Sequence, residues 1–420
     1  MSKSIKILVL FSLLVIFASI PVKAWDDAGH KTIAYIAWNQ MSPEVRERAF
    51  KILMSAPEDA DLSVFYLQDS RSADIKKREL FMLASTWADI VRDRKFKVRA
   101  EKYHHSNWHY DDAFWTFENG KVKLLPNPNE DGGKAVEKLV EFDKALKDAA
   151  VSDEEKAIAL AWILHLGGDI HQPLHTSARI TELEPKGDQG GNLFSLTPKD
   201  TPREQSENLH WFWDSILGRI IPRKDMPDAE YITLIGDSIM NKYPQAEMQN
   251  RLETGNFKQW QEGSFKLATT DVFSPDLIRY EKPSAKYRRN AFEVSEEQMA
   301  LAGYRLGKML EQILERQIPK SAEISREFFN RNVSFYKQEA EESRVELGSG
   351  EDDLWLWVKV RANLIRADEL RDSTIHINVE NSVVTLKGLL IRESQRQVAI
   401  QAAKQIDGVK QVKDSLKISK

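Results

Sequence analysis

The chain has no cysteine in its 420 residues. That excludes disulfide bridges, thiolate metal ligands and lipid attachment through cysteine. Any metal must be held by His, Asp, Glu, backbone atoms or an amine. Excess positive charge is missing as well: 60 Lys and Arg stand against 64 Asp and Glu, for a net charge of −4. No broad basic field is available to hold duplex nucleic acid by its phosphates, so any nucleic-acid contact must be local. The apolar run from Ile7 to Ile20 is shorter than the about 20 residues that a membrane-spanning helix needs. A hydrophobic fraction of 42% and a charged fraction of 30% are ordinary for a soluble globular protein. The length points to a large domain with an appendage.

Residues 1–24 combine a basic start (Lys3, Lys6), that apolar run and Val22-Lys23-Ala24. This is the layout of a cleavable signal peptide, and it predicts export to the periplasm or the outside of a bacterium. Cleavage would expose the α-amine of Trp25, which titrates near pH 8 and can yield its proton to a metal. His30 follows five residues later, close enough to share the ion. An ordinary exported protein that begins with Trp would read the same way.

Residues 25–338 read as mainly helical. Ser42-Pro43-Glu44 is a helix start, and apolar residues then recur at Val45, Ala49, Ile52 and Leu53, a period near 3.6. Amphipathic stretches are expected over Lys134–Ala149, Asp153–His171, Glu204–Ile221 and Ser295–Arg316, with loops at Leu125–Gly133 and Glu184–Asn192 and few strands. Residues 339–353, acidic and carrying Gly348-Ser349-Gly350, read as a linker. Residues 354–420 then run αββαβ, with strands predicted at 374–379, 382–389 and 409–418. The predicted fold class is mainly all-α with a small C-terminal α/β domain. That domain, with Val-Thr-Leu-Lys-Gly at 384–388 and Asp-Gly-Val at 407–409, resembles a BON domain. The resemblance implies contact with a phospholipid or other envelope surface; a stabilising appendage without a ligand is the alternative.

The nine histidines are clustered. His165 and Asp169 lie four apart in an apolar helical stretch, and His210 and Asp214 repeat the spacing. Four residues is about one helical turn, so each pair faces one way. His175 follows Pro173, and Asp89 and His109 add a carboxylate and an imidazole upstream. Imidazole with carboxylate and no thiolate suits catalytic zinc. Buried polar pairs satisfied by hydrogen bonds would give the same spacing.

Taken in order, Trp25…His30, Trp-Ala-Asp89-x-x-Arg92, His109-Tyr110, His165-x3-Asp169-x-His-Gln-Pro-Leu-His175, Gly-Asp-x-Gly-Gly-Asn192 and Asn-Leu-His210-x3-Asp214 resemble the nuclease I family. These are the single-strand-preferring, three-zinc nucleases and 3′-nucleotidases of fungi, plants and bacteria. The resemblance implies an all-α fold with a trinuclear zinc cluster at the bottom of a cleft. It assigns one zinc to the amine and carbonyl of Trp25, His30 and Asp169, and a second to Asp89, His109 and His165, with Asp169 bridging. The third falls to His175, His210 and Asp214. It further implies that Asp89 orients the nucleophile and that Arg92 meets charge growing on the phosphate. Tyr110, Asp112 and Asn192 would hold a base; a packing aromatic and a turn residue are the plainer roles for Tyr110 and Asn192. The implied substrates are single-stranded DNA or RNA and 3′-nucleotides, the products 5′-phosphorylated, and no obligate protein partner is expected.

His171 is expected to hydrogen-bond a neighbour, His104 and His105 to be solvated, and Trp87, Trp108, Trp162, Trp211 and Trp213 to pack around the cluster. A zinc-dependent phospholipase C shares the fold and the N-terminal Trp. It spaces Trp and the first His more widely, however, and ends its ligand set on Glu where this chain has Asp214. A non-catalytic envelope-binding protein with structural zinc is the remaining alternative.

Overall fold

A computed structural model describes residues 25–419 apart from 68, 129–131, 318–323, 350, 366, 371 and 372. The expected signal peptide, 1–24, lies outside the described residues. The larger part of the chain is helical, and a small α/β unit closes it.

The first helix, Asp27–Gln40, is capped by Asp26, whose side chain accepts the Gly29 N–H. Its residues from Gly29 to Trp38 are all buried, as expected of a helix surrounded by others. It lies along the long Ala285–Leu314 helix. Close approach depends on two glycines: a Cβ at Gly303 would fall 2.5 Å from Ile36 Cβ, and one at Gly307 would fall 2.7 Å from the Ala37 carbonyl oxygen. The Asp153–Asp169 helix starts in a capping box formed by Ser152 and Glu155 and is buried from Ala159 to its end. Its last turn delivers His165 and Asp169 into the core.

Several expectations shift at their edges. Lys134–Ala149 forms a helix over Ala135–Lys147. Ser42 precedes a helix over Pro43–Met54 but makes no side-chain cap; its N–H is donated to Glu311 instead. The helix expected from Ser295 begins ten residues earlier, at Ala285, because Ser284 caps it through the Tyr287 N–H. The expected Glu204–Ile221 helix is broken. Leu196 donates its N–H to the Glu207 carbonyl, and Asn208 pairs with Ser195 in a β-bridge. Those commitments hold residues 207–208 extended, and helices follow over Leu209–Asp214 and Ile216–Ile220.

Strands also occur within the helical part. β1 (Ala113–Glu118) and β2 (Lys121–Leu124) pair antiparallel, and β3 (Ser177–Arg179) joins β1 in parallel. Asn119 and Gly120 both have positive φ, the requirement of a type I′ hairpin turn.

The C-terminal unit has the predicted αββαβ order: Glu351–Ile365, β4 (Thr374–Glu380), β5 (Val383–Leu390), Ser394–Lys404 and β6 (Gln411–Ile418). β5 is central, antiparallel to β4 and parallel to β6. Its core includes Trp357, Val379, Val384 and Leu386, and Phe329 and Ala340 from upstream pack into the same cluster. Among the described residues no helix is long and apolar enough to cross a membrane.

Candidate metal centre

Five segments converge at the C-terminal end of the Asp153–Asp169 helix. Trp25 is fully buried, and its indole N–H is donated to the Gly168 carbonyl at 3.1 Å. The next residue donates its backbone N–H to the Asp214 carbonyl at 3.0 Å, so residues 25 and 26 are tied to two segments that carry candidate ligands. A Cβ at Gly168 would lie 3.0 Å from His30 Nδ1; glycine there makes room for the imidazole.

Asp169 stands at the middle. Its Oδ1 is 3.3 Å from His30 Nε2, and its Oδ2 is 3.3 Å from both His109 Nδ1 and His165 Nε2. The rings of His30 and His165 stack at 4.1 Å. Three groups have candidate ligand atoms within 4.8 Å of one another: His30, His165 and Asp169; Asp89, His109 and His165; His175, His210 and Asp214. All but half-buried Asp89 are buried.

The histidine tautomers follow from their backbone partners. A carbonyl can only accept, so Nδ1 must carry the proton where it meets one. His165 Nδ1 meets Ser85 O at 2.8 Å, His175 Nδ1 meets His109 O at 2.7 Å, and His210 Nδ1 meets Gly190 O at 2.7 Å. Each then turns an Nε2 lone pair away from the backbone, the arrangement metal-ligating imidazoles use; that of His165 lies 2.9 Å from His109 Nδ1, where the two rings meet. His171 shows the contrast. Its Nδ1 meets Gly167 O at 2.6 Å, and its Nε2 accepts from Arg305 at 2.8 Å. The lone pair is spent on a guanidinium, and His171 hydrogen-bonds its neighbours as expected.

The electrostatics suit a cation. Burial, then the neighbouring histidines, holds His30 and His109 well below the usual imidazole range, and burial lowers His165 too. Burial, then the Asp89 and Asp214 charges, pushes Asp169 well above the usual carboxylate range. Neutral imidazoles are ready ligands, and buried carboxylates crowded together need a positive partner. Neither ring nitrogen of His30 and neither carboxylate oxygen of Asp169 has a hydrogen-bond partner among the described residues. Buried polar atoms of that kind are costly unless something else satisfies them. The residues therefore fit divalent metal.

Asp89 lies on the Trp87–Ile90 turn, with Arg92 Nη1 3.2 Å from its Oδ1. Tyr110 and Asp112 are half-buried beyond His109, leading into β1. Asn192 sits in the Gly190-Gly191 turn. Its Nδ2 donates to the Gln189 carbonyl, and its Oδ1 accepts from Asn208 at 3.4 Å.

Two expectations change. Trp87, Trp162 and Trp213 are buried and Trp108 packs against the core, but Trp211 is 41% exposed, because the helix turns His210 and Asp214 inward and this residue outward. His105, expected in solvent, stacks on Trp108 at 3.7 Å and is half-buried, as is His104. Sequence reasoning also passed over Gln172. It is fully buried, its Nε2 donates to Asp214 Oδ1 at 2.6 Å, and its Oε1 accepts the Leu174 N–H. Its place between Asp169 and His175 was the available signal.

Comparison with known proteins agrees with this layout. Residues 25–315 match the S1/P1 Nuclease family model, and residues 352–420 match that of the BON domain. Nuclease P1 of Penicillium citrinum is 23% identical over 311 residues, covering 70% of this chain and all of the relative. Nuclease S1 of Aspergillus oryzae is 24% identical over 314 residues, covering 69% of this chain and 91% of the relative. In the C-terminal part, Osmotically-inducible protein Y of Escherichia coli is 31% identical over 81 residues, covering 19% of this chain and 40% of the relative. The chain belongs to the S1/P1 nuclease family, which supports a nuclease function, and carries a BON domain at its C-terminal end.

Proposed function

We propose that this nuclease is a zinc-dependent phosphodiesterase that cleaves single-stranded DNA and RNA to 5′-phosphorylated nucleotides and also hydrolyses 3′-nucleotides. The observation that carries this reading is three His/Asp groups, buried except for half-buried Asp89, the ligand atoms of each within 4.8 Å of one another and two of the groups sharing His165. Zinc would be held by His30, Asp169 and the backbone amine and carbonyl of Trp25; by Asp89, His109 and His165, with Asp169 shared; and by His175, His210 and Asp214. Bound there, zinc would supply Lewis-acid polarisation of the phosphate and acidify water.

The chain's own residues do the rest. Asp89 accepts a hydrogen bond from the attacking water and so orients it. Arg92, beside Asp89, offers donors to the phosphate oxygens as their negative charge grows. Tyr110 stacks on a base while Asp112 and Asn192 meet its edge. Stacking requires an unpaired base, and the net charge of −4 gives no field for duplex phosphates. We further propose that residues 1–24 direct export and are removed, that residues 25–338 carry the chemistry, and that the C-terminal unit containing residues 354–420 contacts an envelope or phospholipid surface.

The test is hydrolysis by the processed protein, with zinc or with chelator, of denatured DNA, duplex DNA and phosphatidylcholine. Zinc-dependent cleavage of the denatured strand is expected. Hydrolysis of the lipid alone, or no hydrolysis with zinc bound, overturns the reading.

A further inference from the structure

Trp211 lies between the candidate ligands His210 and Asp214 on one short helix. Successive helical residues are about 100° apart around the axis, so turning His210 and Asp214 inward turns Trp211 toward solvent. The indole is 41% exposed, beside a His210 that is 3% exposed. A single exposed apolar residue is ordinary on a protein surface; this one is fixed to the loop that the proposed function assigns to base recognition. Asn208 Oδ1 accepts the Trp211 backbone N–H at 2.7 Å, and Asn208 Nδ2 donates to Asn192 Oδ1 at 3.4 Å. Leu193, next to Asn192, is 46% exposed, and its carbonyl accepts from Arg279 at 2.9 Å. A part-exposed Trp211 thus directly follows one residue of the His175, His210 and Asp214 group and is tied through Asn208 to Asn192, with exposed Leu193 next along the chain.

We propose that Trp211 is a second base-stacking subsite, which takes a base of a single strand next to the nucleotide seated at Tyr110 and Asn192. The proposal rests on the single-strand nuclease reading. An indole face stacks on any base, so the subsite favours strands without selecting sequence. It also separates substrate lengths. A 3′-nucleotide has one base, already placed at Tyr110, whereas an oligonucleotide has another to offer.

The test uses the zinc-loaded, processed full chain with Trp211→Ala and Trp211→Phe. Specificity (kcat/KM) is measured for a single-stranded octanucleotide and for 3′-AMP. Trp211→Ala is expected to lower the octanucleotide-to-3′-AMP specificity ratio about tenfold, or about 1.4 kcal/mol, through KM, and Trp211→Phe is expected to restore most of it. An unchanged ratio, or an equal loss on both substrates with zinc released, overturns the proposal. Affinity for a hydrolysis-resistant phosphorothioate octanucleotide, read by anisotropy, separates the two readings. Weaker binding by Trp211→Ala supports the subsite even if the native protein cleaves nothing, a result that would sink the nuclease reading alone. Equal affinity sinks the subsite whatever the cleavage.

Discussion

Asp169 follows His165 by one helical turn, and its Oδ2 lies 3.3 Å from His165 Nε2. The same carboxylate reaches His30 through its other oxygen, so one acidic side chain joins two of the three groups. Asp169→Asn keeps the volume and removes the charge. Activity on denatured DNA is expected to fall at least about 1000-fold, because the loss strikes both shared positions. Bound zinc, measured by elemental analysis, is expected to drop with it. Chelation of the native protein should lower its Tm, since a site filled at a hundred times its Kd contributes about 2.7 kcal/mol. A variant with full zinc and full activity would show that Asp169 holds no ion.

Gln172 makes a narrower prediction. Its amide grips Asp214 Oδ1, and Leu174 holds the amide in turn, so the orientation of Asp214 is set from outside the cavity. Outer partners of this kind are worth about 10- to 100-fold in metal affinity. Gln172→Ala is expected to weaken one zinc by that factor in chelator competition while the others stay bound. Native affinity at every position would mean that Asp214 is oriented by the rest of its surroundings.

Much of this centre was readable because helical spacing is local. His165 with Asp169 and His210 with Asp214 announce a shared face from their numbers alone, and a buried helix keeps that promise. The αββαβ order was equally open, since each of its segments carries its own period. What was hidden depended on distant partners. Asn208 breaks the expected Glu204–Ile221 helix because Ser195 and Leu196 claim its neighbourhood, and nothing nearby in sequence says so. The β1–β2 hairpin had its signal in Asn119-Gly120, a dipeptide passed over in a stretch otherwise read as mainly helical. Trp211 was read as packing because residue type says little about which way a helix will face.

Trp25 gives a prediction about processing. With its ring buried and bonded to Gly168, and Asp26 bonded to Asp214, the backbone of residue 25 is fixed beside two segments that carry candidate ligands. If the α-amine is a ligand, acylating it in a peptide bond removes the lone pair. One added Gly before Trp25 is expected to cost at least about tenfold in activity, as loss of a metal-site contact does, with a lower zinc content. Undiminished activity in a chain confirmed by mass spectrometry to retain the added residue would remove the amine from the ligand set.

Asp188 supplies the pH prediction, in the loop that holds His210. It is fully buried, its Oδ1 accepts the Arg179 N–H at 2.9 Å, and its Oδ2 has no hydrogen-bond partner among the described residues. Burial outweighs the nearby Arg179 charge and pushes the carboxyl up from 3.8 to about 6. Between about pH 4 and pH 6 the folded chain therefore keeps a proton that the unfolded chain has lost, and stability falls as pH rises through that window. A shift of roughly two units corresponds to about 3 kcal/mol, present below pH 4 and gone above pH 6. Asp188→Asn keeps an acceptor for Arg179 and stays neutral throughout. Its stability relative to the native protein, from urea unfolding at matched zinc, is expected to climb from pH 4 to pH 6 and level off above. Parallel curves across that range would mean that Asp188 is charged in the fold and that the Arg179 backbone hydrogen bond and nearby charge outweigh the cost of burial.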